Sequence, residues 1–457
     1  MMHFRFSTIR VILFTPVIMA ACTFSPLTDE PIEHRPWADA RPAQRPQNGL
    51  QQESSGTARA GAIGDGLALR QAIALALLHS PDLAAFSYDV RAAEARVLQA
   101  GLRPNPQVRA SLKNFGGPGD TNDTFNKTTV VLSQVIELAG KRRKRLALAD
   151  SEQRLATWDY EDQRLQVVTE VTRRYIAVIA AQLRVAQASR STRMAEQMQA
   201  IVNQRASVGV IPTSARHKAL VRVSIERIEL DRLIHQLNAA RQTLATSWSG
   251  TASDFGEADG KFPAPANLPD KQVLLERAHR HPRLARWADE FERRRHALRL
   301  AQARGVPDLS ASAGVRYFPD ANDTAAVVEF GVPLPLFDRN QGRVLESRFK
   351  YAQADAQEKA TQAELQEEVA LAYADAQSAQ FAMRTLEGET LAAARSAFES
   401  AQEAFRVGQT DYLSVLDAER TLVNVERQRI DALALFHTSV TSLEGLTATP
   451  LSSQAAR

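Results

Sequence analysis

Cysteine is nearly absent: one, Cys22, in 457 residues. That excludes an intrachain disulfide and a metal cage built from thiolates. No stretch holds 18 consecutive apolar residues, which excludes a conventional transmembrane helix. A large excess of charge of one sign is lacking as well. A net charge of +4 on this length is too small to argue for nucleic acid. Catalytic signatures are missing: there is no Ser/His/Asp spacing tied to a nucleophile turn, no phosphate-binding glycine loop and no paired-carboxylate context beyond ordinary helix surface. An enzyme and a cofactor are therefore not expected. His279 and His281, two residues apart, would fall on different faces of a helix, so metal ligation is not expected either.

The N-terminus supplies the first positive signal. Arg5 and Arg10 precede a short apolar stretch, Val11 to Met19, and then Ala20-Ala21-Cys22. The stretch is too short to span a bilayer and reads as an export leader over residues 1–21. The cysteine after two alanines resembles a bacterial lipobox, which implies cleavage before Cys22 and acylation of it. By the same analogy Thr23, in place of Asp, implies sorting to the outer membrane. Residues 22–66, rich in Pro, Gly, Arg, Gln and Ser, read as an extended tether.

From Leu67 an internal duplication dominates. HSPDLAAF (79–86) matches HPRLARW (281–287), and RPNPQVRAS (103–111) matches RGVPDLSAS (304–312). SQVIELAGKR (133–142) matches VPLPLFDRN (332–340), and SVGVIPTSA (207–215) faces RVGQTDYLS (406–414). Matches in one order at an offset of about 200 residues mean two copies of one large unit. We place the copies at 67–249 and 272–448, a Pro/Gly-rich linker at 250–271, and a tail at 449–457.

Each copy opens with a helical stretch, 67–103 or 272–304. Two alternating strands follow, within 106–138 and 307–337, each about ten residues, the length of a tilted membrane strand. Next comes a run almost free of helix breakers. Between Gly140 and Gly209 there is neither proline nor glycine, and between Gly342 and Gly408 only Gly388. Helices over about 141–207 and 340–406 would be rods of roughly 100 Å. Phe349, Ala356, Ala363, Ala370, Leu391, Phe398 and Phe405 fall on one heptad repeat, which points to coiled-coil packing. Helices 213–249 and 411–448 return from the turns at Val208-Gly209 and Val407-Gly408. By length, 213–249 stacks on 272–304 beside one rod, and 411–448 on 67–103 beside the other.

This pattern resembles the TolC-type outer-membrane efflux channels over residues 67–448. VIELAGKRRKR (135–145) and VPLPLFDRNQGR (332–343) are similar to the strand-to-helix junctions of the family's heavy-metal branch, which serves cobalt, zinc and cadmium exporters. The expected fold class is mainly α with a small β part: a two-fold internal repeat, a long antiparallel helical coiled-coil barrel and four strands. Four strands cannot close a membrane barrel, so the chain must oligomerise, a dimer giving eight strands and a trimer twelve. The resemblance implies the trimer, with a shared 12-stranded transmembrane barrel.

The resemblance also implies partners, a periplasmic adaptor and an inner-membrane RND pump, beside outer-membrane lipid; nucleic acid is not expected. It implies adaptor contact at the tips, Val208, Gly209, Val407 and Gly408, and a gate ring at Asp417. Ser414 and Thr410 stand where the family carries an acid and an arginine. The basic run KRRKR (141–145) is then a membrane-boundary marker, in which Lys141 pairs by alignment with Arg339 and Arg145 with Arg343. Basic side chains there could snorkel to lipid headgroups. Alternatives are a duct for drugs or secreted proteins, and a lipid-anchored coiled-coil structural or adaptor protein with no channel.

Overall fold

The computed structural model describes residues 66–113, 127–259, 262, 268–319 and 321–451. The chain divides into two units, 1–56 and 57–457, and every described residue lies in the second. The export leader, Cys22, the tether up to residue 65, the first hairpin turn and residues 452–457 lie outside the described residues.

The longest element is α3 (Lys141–Ser207), a 67-residue helix. It starts after Gly140, whose φ of +65° is left-handed, and ends at Val208, before Gly209 at φ +74°. An uninterrupted i→i−4 ladder is what a breaker-free sequence allows. Buried residues recur along its whole length, from Ala149 through Val171 and Val178 to Val202, so α3 is the central rod of the protomer.

The second rod differs. The helix α8 (Gln341–Thr385) gives way to a π-type turn at Leu386–Thr390 before α9 (Leu391–Arg406) begins. Gly388 sits inside the break at φ −70°, ψ −111°, outside the helical region. The expected unbroken helix over 340–406 is thus interrupted, because a glycine without a side chain to pack lets the ladder slip. Thr390 donates to the Thr385 carbonyl at 2.9 Å, taking up one freed acceptor.

The heptad divides at the same place. Leu391 is half-buried and Phe398 and Phe405 are buried, but Phe349, Ala356 and Ala363 are exposed. On α8 the buried seam is Ala354, Leu365, Val369, Ala372, Ala376, Ala379 and Met383 instead.

The shorter helices are α1 (Leu69–His79), α2 (Pro81–Gly101), α4 (Thr213–Ala245), α5 (Lys271–Ala278), α6 (Pro282–Ala285), α7 (Trp287–Arg304) and α10 (Tyr412–Thr447). Both copies break before a proline at the first helical position, Pro81 and Pro282. Ser80 Oγ caps α2 by accepting from Leu83 N–H at 3.4 Å, and His281 Nδ1 caps α6 by accepting from Arg283 N–H at 3.1 Å.

The half-rods stack the other way from the expectation. One apolar cluster joins Ala72 and Ala76 of α1 to Leu244 of α4 and to Trp248 in the short 3-10 turn that follows α4. Another joins Leu274 and Ala278 of α5 to Leu443 of α10. Lengths matched equally well in either pairing, and only side-chain burial decides between them. In the first cluster two short strands, β1 (Gly66–Leu67) and β4 (Glu257–Ala258), pair in parallel, and Tyr175 Oη donates to the Leu67 carbonyl at 2.9 Å.

The remaining strands are β2 (Gln107–Lys113), β3 (Lys127–Ile136), β5 (Leu309–Phe318) and β6 (Asp323–Gly331), antiparallel in the order β2-β3-β5-β6. Residues directly opposite share a face. One face therefore carries Val108, Leu112, Val130, Leu132, Val315, Val328 and Phe330, all exposed. The other carries Arg109, Ser111, Thr129, Ser312, Arg316 and Glu329, with Thr129 and Val131 buried. At Gly314 a Cβ would overlap the Val130 carbonyl oxygen and stand 2.6 Å from Val131 Cα, so the close approach of β5 to β3 depends on glycine there. Among the described residues, strands β2 and β6 are the open edges of this sheet.

Candidate functional site

The features bearing on function lie at two places, the sheet-to-helix junction and the turn end of the rods. At the junction, Ala139 and Gly140 both take left-handed φ and turn the chain into α3 within the four residues that follow β3. The equivalent cap on α8 is Asn340, at φ +61°. Matching the caps puts Gly140 on Asn340 and hence Lys141 on Gln341 and Arg143 on Arg343. This corrects the alignment of Lys141 with Arg339 and Arg145 with Arg343, which ran two residues out of step.

The basic run is also partnered differently from the snorkelling expectation. Lys141 is 8% exposed, and its Nζ donates to Asp308 Oδ1 at 2.8 Å. The same oxygen accepts from Leu138 N–H at 2.9 Å, so Asp308, just before β5, ties the two copies together. Arg145 forms an ion pair with Glu137 and donates to the Leu102 carbonyl at 3.2 Å. Within a half-buried junction, an internal carboxylate is a closer partner than a headgroup. Arg339 and Arg343 are exposed, beside Leu334, Leu336 and Phe337; Phe337 is 91% exposed.

At the far end, both reversals use one geometry. Val210 N–H reaches the Arg205 carbonyl at 3.0 Å, and Gln409 N–H reaches the Ala404 carbonyl at 2.8 Å. Gly209 and Gly408 hold φ of +74° and +84°, which a side chain would strain. Val208 and Val407 are exposed. Arg205 links the two turns: its guanidinium donates to the Phe405 carbonyl and lies 4.8 Å from the centroid of the buried Phe405 ring.

Asp417 is exposed on α10, and Thr421 Oγ1 donates to its carbonyl at 3.0 Å. Ser414 serves the helix cap. Asp411 Oδ1 accepts from Ser414 N–H at 3.0 Å and Oγ at 2.8 Å, and those bonds hold the Asp411 carboxyl below the usual range.

Inside the same bundle lies a charged group that the sequence reading passed over. Arg222 of α4 reaches Glu419 Oε1 with Nε at 3.2 Å and Glu226 Oε1 with Nη2 at 2.8 Å. Glu419 and Glu226 are buried. Burial pushes the Glu419 carboxyl up, against the pull of Arg222, and pushes the neighbouring Tyr412 phenol up to about 12. A signal was available: Tyr412, Val415, Glu419 and Leu422 keep i, i+3, i+4 spacing, so an acid stands in a core stripe.

Among the described residues no group of three or more His, Cys, Asp or Glu could hold a metal ion. His281 is committed to its cap, and burial lowers its pKa. His279 ends α5. A cleft of about 440 Å³ beside His281, lined by Asp162, Arg283 and Glu368, has Arg283 paired to Glu368 at 3.0 Å.

The family model described as "Outer membrane efflux protein" matches residues 72–250 and 274–449. The chain is 28% identical to the cobalt-zinc-cadmium resistance protein CzcC of Cupriavidus metallidurans, over 83% of this chain and 89% of that one. It is 24% identical to the nickel-cobalt-cadmium resistance protein NccC of Alcaligenes xylosoxydans xylosoxydans, over 60% of this chain and 62% of that one. The solved outer-membrane channel OprN shares its fold at a TM-score of 0.72 and 20% identity, covering 83% of this chain and 89% of that one. The chain belongs to the outer membrane efflux protein family, whose members are channels and not enzymes.

Proposed function

We propose that this outer-membrane efflux channel is the passive exit duct of a tripartite metal exporter, carrying divalent cations such as cobalt, zinc and cadmium. Three copies would share a 12-stranded barrel, with the rods ringed below it in the periplasm. A periplasmic adaptor would meet the tips at Val208, Gly209, Val407 and Gly408, and an inner-membrane RND pump would drive transport. The observation that carries the duct reading is the four-stranded sheet, apolar on one face and polar on the other, with both edges open among the described residues. An unpaired edge in hydrocarbon costs several kcal/mol per backbone group, so such a sheet closes with further copies. The exposed upper heptad on α8, Phe349, Ala356 and Ala363, supplies a seam for a neighbouring rod. The metal reading rests on the relation to the resistance proteins.

In this reading Asp417 contributes one acid per copy to a ring at the entrance, attracting cations by its field. Phe337 would enter the membrane, with Arg339 and Arg343 at headgroup level, and Cys22 would carry the lipid anchor. Deleting the gene and returning it on a plasmid tests the substrate. Sensitivity to zinc, cadmium or cobalt that the plasmid reverses is expected. Unchanged tolerance to all three would turn the assignment toward drugs or secreted proteins.

A further inference from the structure

We infer that the barrel lumen is a basic sleeve that selects for anions, set above the acidic entrance; this rests on the duct reading. The pairing register resolves the polar face into tiers. Next to the uncharged row Val135, Ser310 and Gly331 at the helix end, Gln107, Ser133, Ser312 and Glu329 lie in one row, which carries a negative charge. The next row is Arg109, Val131, Gly314 and Val327, with one positive charge and no acid in it. Ser111, Thr129, Arg316 and Ala325 form the third, again positive, with Arg316 Nε donating to Thr129 Oγ1 at 3.1 Å. At the outer end Lys113 stands opposite Lys127, and Asp323 opposite Phe318.

Since the other face is apolar and exposed, this one faces the aqueous interior once the barrel closes. Among the described residues of that face Arg109, Lys113, Lys127 and Arg316 outweigh Asp323 and Glu329. Each copy repeats the tiers, so closure turns single charges into rings of one sign, focused by low-dielectric walls. Small anions are enriched there, and cations pass this stretch with counter-anions beside them. Cations outside the cell meet a barrier to re-entry.

Ion selectivity of the purified full-length protein in planar bilayers under a KCl gradient tests this. Because Asp417 would act in series, R109Q/R316Q is made in the wild-type and in the D417N background. The double substitution is expected to lower the chloride-to-potassium permeability ratio about twofold or more in both backgrounds at 0.1 M salt, and to do little at 1 M, where the screening length is about 3 Å. E329Q should raise the ratio. A ratio unmoved by R109Q/R316Q in both backgrounds, in a protein that conducts, overturns the sleeve and leaves the duct standing. A protein assembled in detergent that conducts nothing overturns the duct, and the sleeve with it.

Discussion

Removing the Asp308 carboxylate would strand Lys141, whose buried ammonium donates to it, and the Leu138 N–H, which shares the same oxygen. A buried donor left without its acceptor costs about 1–3 kcal/mol. Asp308→Ala should therefore lower the melting temperature of the detergent-purified protein. Arg343→Gln, at an exposed position in the second copy, should leave it unchanged within error. Equal shifts for the two would mean that the junction is not braced as described. The duplicated junctions thus differ in chemistry: one is tied internally by acids, and the other presents exposed arginines. Their sequences look alike because both end a strand and begin a helix, and the one-residue detail that separates them, a carboxylate before β5, lies about 170 residues from its partner.

Among the elements, α3 and α7 are braced by carboxylates whose acidity the fold has shifted. Asp289 of α7 accepts from Arg154 Nε at 2.6 Å and Trp158 Nε1 at 2.9 Å, and these bonds hold it below its ordinary value of 3.8 despite burial. Within α7 itself, the buried Glu290 is held below 4.5 by Arg293 and Arg294 of the same helix, against desolvation. A depressed carboxyl stabilises the fold fully above its unfolded value, and the contribution fades as pH falls through the folded one. Asp159, raised by burial, runs the other way. Below about pH 4 the α3–α7 contact should loosen, read as lower amide protection factors in 287–304 once the intrinsic pH dependence of exchange is divided out. Asp289→Asn should flatten that pH dependence. Protection factors as high at pH 3.5 as at pH 7 in the wild type would contradict the brace.

Helix α3 was legible because nothing in it can end a helix. The break at Gly388 was not, since a lone glycine is tolerated at about 1 kcal/mol and gives no sign of whether it will slip. The heptad was legible as a period only. A stripe written once in sequence faces the chain's own core below the break and leaves it above. The same limit hid Arg222 and Glu419, which look like surface charges until the stripe around each is traced. The tip glycines were legible, because only a left-handed residue permits that reversal. Whether an adaptor meets them is a matter of partner chemistry, which the turn geometry alone does not encode.

For the whole molecule the decisive feature is that β2 and β6 are edges. In the proposed trimer each copy's β6 must find the β2 of the next, so no copy is closed on its own. A subunit with one spoiled edge still offers a good one, enters the ring and leaves it open. The genetics follow from this. A β6 variant such as Val328→Pro, which blocks edge pairing, should behave as a dominant trait and not as a simple loss. Co-expressed equally with the normal gene, it would leave about one assembly in eight free of the defect if subunits mix at random. Resistance should fall well below that of a cell carrying half the normal dose. A variant that leaves resistance at the half-dose level would mean the copies do not depend on one another for closure. Selection then acts on the edge through every neighbour it touches, so a change at β6 in one copy can be rescued only by a matching change at the β2 of its neighbours.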